Sequence, residues 1–99
     1  MGRGEVGGRV YRYKRGIRCS YDRQGYIYFT SRNYRFLPAE QKATIRELCR
    51  KAGGEHREAL FCFVTSDKSA TEVCMEHFLS KATLYRAVQR YYEDFPKWI

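Results

Sequence analysis

The string SATEVCMEHFLSKATLYRAVQR, residues 69–90, constrains this chain more than any other stretch, because it accommodates only two short helices meeting at a sharp turn. Ser69 and Glu72 have the spacing of a capping box, in which hydroxyl and carboxylate satisfy orphan backbone donors reciprocally. Val73, Cys74 and His77 then fall on one face at helical spacing. Ser80 offers the next N-cap after only about two turns, so the first helix cannot run on.

From Ser80 a second helix carries Leu84, Ala87, Val88 and Tyr91 at i, i+3, i+4 and i+7, an apolar stripe suited to packing on the helix before it. The opposite face holds Lys81, Ala82, Tyr85, Arg86, Gln89 and Arg90. Cationic, hydrogen-bonding and exposed, such a face has what a helix needs to enter a major groove and reach base edges. On charge alone, the commoner explanation is an amphipathic core helix with a solvated side.

The register of the motif changes that balance. VCMEHFLSKATLYRAV resembles the helix-turn-helix of homeodomain-like bacterial and phage regulators and of the DNA-binding parts of recombinases. Cys74 stands where the family usually has Ala, Phe78 at the turn and Leu79 at the aliphatic position, and Ser80, Thr83, Leu84, Tyr85 and Arg86 complete the match. The Ser-Lys-x-Thr-Leu-Tyr-Arg string is also similar to the recognition helix of tetracycline-repressor-type regulators. The resemblance spans about a fifth of the chain. It implies a phage or mobile-element transcriptional regulator that binds double-stranded DNA, with the helix over 80–92 in the major groove. Lys81, Tyr85, Arg86 and Gln89 would then meet bases or flanking phosphates, with Ala82 beside them, while Ser80 and Arg90 fix register. A palindromic target would imply a homodimer. The departure is Phe78, because the turn position is usually Gly, for which a left-handed backbone is cheap. Either the turn takes another geometry or burial of the ring offsets the strain.

Ninety-nine residues make one domain with a single core, and 43% hydrophobic with 16% aromatic residues is the composition of a folding chain. No apolar run approaches the length of a bilayer span, and no signal-peptide pattern opens the sequence, so the expected setting is the cytoplasm of a bacterial or phage-infected cell, away from membranes. The net charge of +8 is uneven. Residues 1–35 carry nine Lys or Arg against Glu5 and Asp22, whereas residues 36–99 carry ten against nine acids. The N-terminal third therefore supplies most of the attraction for a polyanion.

In chain order, the glycine-rich residues 1–9 read as a flexible basic arm, and 10–99 as a single domain. Within it, 10–35 reads as a basic β-meander, 36–54 as a bridging helix and 55–99 as a three-helix unit that ends in the helix-turn-helix. The strand reading rests on Ile17, Cys19 and Tyr21 and on Tyr26 to Thr30, with Asp22 to Gly25 as hairpin turn. The expected fold class is thus α+β, an N-terminal antiparallel β-hairpin or three-stranded meander followed by a four-helix bundle. Arg12, Lys14, Arg15, Arg18, Arg23 and Arg32 would give sequence-independent affinity for phosphate. Tyrosines interleaved with those residues also suit RNA or single strands, whose bases stack on rings.

Catalytic chemistry is thin. Cys19, Cys49, Cys62 and Cys74 form no Cys-x-x-Cys pair, His56 and His77 are isolated, and no glycine loop precedes a strand-to-helix step. The expectation is a non-enzyme with no cofactor and no metal. The rival reading is an interaction protein. A compact basic chain of this kind also resembles small phage and mobile-element products that block host nucleoprotein complexes such as CRISPR nucleases, with the basic Tyr/Arg-rich sheet docking on a host protein or ribonucleoprotein.

Overall fold

The computed structural model describes Lys14 and residues 16–99. The expected arm over 1–9, most of the first strand, and Arg12 and Arg15 lie outside the described residues. Five α-helices follow one another: α1 (Tyr21–Arg32), α2 (Ala39–Gly53), α3 (Arg57–Thr65), α4 (Ala70–His77) and α5 (Lys81–Asp94). Single 3₁₀ turns over Tyr34–Phe36 and Gly54–His56 join α1 to α2 and α2 to α3.

Among the described residues there is no strand, so the expected α+β architecture is overturned and the domain is all-helical. The physical reason lies in α1. Ser20 caps it, its hydroxyl accepting from the Arg23 N–H, and Asp22 sits in the first turn where it complements the helix dipole. Ser20 and Asp22 thus start a helix where Asp22 to Gly25 had suggested a turn. The buried stripe is Gln24, Ile27 and Ser31, at helical spacing but two-thirds polar, while Tyr21, Tyr26 and Phe29 face outward. Hydrophobic periodicity therefore pointed away from the helix. Both buried polar groups are satisfied. Gln24 accepts from the Lys14 N–H at 2.8 Å and donates to the carbonyls of Lys14 and Cys19, and the Ser31 hydroxyl lies 2.7 Å from both the Ile27 carbonyl and the Tyr91 hydroxyl.

The other helices follow their sequence signals. Pro38 precedes α2, Glu40 lies in its first turn, and Gly54, at φ +58°, closes its end with an N–H bond to the Arg50 carbonyl. The apolar run through Leu60 and Val64 is helical, as α3. Ile45, Leu60, Val73, Leu84 and Tyr91 are fully buried, one from each of α2, α3 and α4 and two from α5, and this common core fixes α4 and α5 against α2 and α3. After α5, Phe95 and Ile99 fold into the core and Trp98 stays exposed.

Candidate nucleic-acid interface

The α4–α5 pair is built as its sequence predicts. Ser69 and Glu72 form the reciprocal capping box at 3.1 and 2.8 Å. The Ser80 hydroxyl caps α5 by accepting from the Thr83 N–H, and it also meets the Thr83 hydroxyl at 2.9 Å. Between the helices the N–H groups of both Phe78 and Leu79 donate to the Cys74 carbonyl, and the Leu79 bond is the six-to-one closure of a Schellman turn. Leu79 packs on the core as that motif requires.

Phe78 itself is the departure. Its backbone is left-handed, at φ 58° and ψ 52°, so the turn keeps the geometry that glycine usually serves. Its ring is 91% exposed. Neither offered compensation, a changed turn or a buried ring, is present. Met75, one turn earlier, is also mostly exposed.

On α5, Leu84, Ala87, Val88, Tyr91 and Tyr92 are buried, and Lys81, Ala82, Tyr85, Arg86, Gln89 and Arg90 all lie on the exposed side. Their chemistry divides along the helix. Lys81 and Arg86 have no ion-pair or hydrogen-bond partner among the described residues, and the Tyr85 ring is half exposed beside them. Further on, Gln89 donates to Glu93, a carboxylate that also accepts from the Arg18 backbone N–H at 3.0 Å. That backbone bond, with help from Gln89, holds the Glu93 carboxyl below its ordinary range. Arg90 turns back to the core, its Nε and Nη2 both donating to the Ala52 carbonyl at 3.0 and 2.7 Å. It closes the end of α2 rather than reaching outward. The cationic surface is thus confined to the first two turns of α5, the part of a recognition helix that meets base edges.

The expected electrostatic set is scattered. Arg23 donates to the carbonyls of Phe95 and Pro96 at 3.2 and 2.7 Å and lies over the rings of Tyr26 and Phe95. Arg32 donates to the Tyr28 hydroxyl and approaches Asp67. Burial lowers the ammonium of Lys14 from its ordinary value. Arg18 is exposed. No sheet gathers these side chains on one face, so the β-ribbon that was to carry them, and the tyrosine platform for single strands, are absent from the described residues. The role of Arg23 in holding the segment after α5, and that of Arg90 in closing the end of α2, were not legible in the sequence, because each reaches carbonyls distant in the chain.

The four thiols are free, and burial pushes Cys49 up to about 12. Comparisons with protein-family models, with curated proteins and with solved structures give no match. No helix among the described residues is long and apolar enough to cross a membrane.

Proposed function

We propose that the chain binds duplex DNA by placing the N-terminal half of α5 in the major groove, as a small regulator of the phage or mobile-element kind would. One observation carries the reading: Lys81, Tyr85 and Arg86 stand on the outer face of a capped helix, with no partner for either cation among the described residues, directly after a left-handed turn. A solvated charged face would need no such turn, and a left-handed non-glycine residue costs about 1 kcal/mol. Arg86 is the base-reading candidate, since guanidinium pairs bidentately with guanine. Lys81 at the first position of the helix is placed for phosphate, and Tyr85 and Ala82 for apolar contact with thymine methyls. Ser80 serves by holding the helix start. Gln89 reaches bases only by leaving Glu93. Arg90 contributes through the α2 junction it closes.

The experiment is selection of bound sequences from a random duplex pool, with the salt dependence of the selected site. Arg86→Ala is expected to lose about tenfold or more in affinity for the selected site and little for random DNA, because a good bidentate base contact discriminates by about 1–3 kcal/mol. A two-fold symmetric motif would add a homodimer. Equal losses on selected and random duplexes would remove base reading by α5.

A protein-docking reading keeps one observation of its own, the exposed pair of Met75 on α4 and Phe78 at the turn. It no longer has the basic sheet on which an inhibitor of a host nucleoprotein complex was to dock. Failure to enrich any duplex sequence, with binding lost on Phe78→Ser, would favour it.

A further inference from the structure

The junction between α3 and α4 gathers three groups that the DNA reading leaves unused. Cys62, near the end of α3, faces the last two residues of α4, Glu76 and His77. One ligand atom from each, the thiol sulfur, a carboxylate oxygen and an imidazole nitrogen, lies within 4.8 Å of the others. Cys62 and His77 are half-buried and Glu76 is exposed, so the group sits at the rim of the helix pair with an approach from solvent. A cation already occupies part of it. The Lys68 ammonium, from the loop between α3 and α4, lies 2.8 and 2.9 Å from the two Glu76 oxygens.

We propose that Cys62, Glu76 and His77 form a binding site for a zinc-class divalent transition metal. Sulfur and imidazole select the borderline ions, zinc and cobalt among them, over magnesium and calcium, which require oxygen donors. Ligands at about 2.0–2.3 Å around a tetrahedral ion stand roughly 3.5 Å from one another. The three atoms therefore need to close by only about 1 Å, a movement within the reach of side-chain rotation at Cys62, His77 and the exposed Glu76. Three protein donors leave the fourth position to water or to a donor from a second molecule. Metal must displace Lys68 from Glu76, so the lysine is an internal competitor. Thiolate and imidazole bind metal only when deprotonated, so uptake releases protons and weakens in acid.

The site has a structural consequence. It joins the third helix to the last turn of α4, immediately before the left-handed Phe78, and an ion there fixes the attitude of α4 from which α5 departs. Binding is independent of whether α5 reads DNA.

The test is titration of the reduced full chain with cobalt(II) alone, read by sulfur-to-cobalt charge-transfer absorption, followed by displacement with zinc. The expected result is one equivalent bound, with the band lost in Cys62→Ser and in His77→Gln and kept in Cys19→Ser and Cys49→Ser. Glu76→Gln should weaken binding at least tenfold. Lys68→Met should strengthen it severalfold, because the competing ammonium is gone, an effect that a nonspecific thiol adduct would not produce. The surface variants at 68 and 76 guard against a misfolded Cys62→Ser or His77→Gln protein, and helical circular dichroism checks each. No charge-transfer band, a band that survives both Cys62→Ser and His77→Gln, or unchanged affinity in Lys68→Met overturns the site.

Discussion

At the scale of single residues, Phe78 carries the most information, since a side chain that gains nothing from burial occupies a backbone conformation that disfavours it. Its N–H and that of Leu79 close α4 on the Cys74 carbonyl, which any residue could do, and glycine would do it with less strain. Phe78→Gly is therefore expected to stabilise the domain by about 1 kcal/mol, because the left-handed penalty exceeds what the exposed ring contributes. For a chain of this length that raises the thermal midpoint by roughly 4–8 °C, a shift measurable by circular dichroism. A fall in stability would mean that the ring has packing the turn depends on. A gain accompanied by loss of DNA or partner binding would assign the ring to the interface, the trade expected where strain is kept for function. Arg86 and Arg90, four positions apart on one face, differ in use because Arg90 has a helix end, that of α2, within reach.

At the scale of elements, the helix-turn-helix was legible and α1 was not, for opposite reasons. Ser69, Glu72 and Ser80 are local signals, acting through bonds to backbone three residues away, and local signals survive into the fold. In α1 the local signal was present in Ser20 and Asp22, but two of the three residues that face the core are Gln24 and Ser31, whose partners include Lys14, Cys19 and Tyr91. Those contacts are tertiary, and without them Tyr26 to Thr30 reads by β-propensity as strand. A strand reading placed Arg23 and Arg32 on an outward basic ribbon, while the helix gives them to Phe95, Pro96 and Tyr28. If Gln24 is what makes α1 a core helix, Gln24→Ala must be costly although it improves helix propensity. It removes the amide that bonds the Lys14 N–H and the Lys14 and Cys19 carbonyls, at about 1–3 kcal/mol for each of these bonds that water cannot replace. The expected result is a loss of roughly 2–4 kcal/mol in urea denaturation. A change below about 0.5 kcal/mol would show that the amide is incidental.

For the whole molecule, the common core couples the interface to acid–base chemistry far from it. Cys49 on α2 and Tyr91 on α5 are buried in the same core, with Ser31 of α1 on the Tyr91 hydroxyl. Burial pushes the Cys49 thiol from 9.0 up to about 12, and burial also raises the Tyr91 phenol, against the smaller pull of the Ser31 bond and with a further push from Cys49. Both acids are thus held neutral in the folded chain and ionise more readily in the unfolded one. For groups of raised pKa, the stabilisation is complete below the unfolded value and is lost as pH rises toward the folded value. The contribution of these two acids should accordingly be level up to about pH 9 and fall between about pH 9 and 12. Urea midpoints across that range check it, and Cys49→Ala should flatten the earlier part of the decline while lowering stability at neutral pH through the small cavity. At about pH 8 the same shift leaves Cys49 unreactive toward alkylating agents in the native protein, which gives a second readout on intact chain. An alkaline limb that begins only above pH 11, or rapid native labelling of Cys49, would mean that α2 and α5 open easily at Tyr91. In that case the face of α5 that presents Lys81 and Arg86 would be mobile relative to the rest of the molecule, and the DNA binding proposed for it would carry the cost of ordering it.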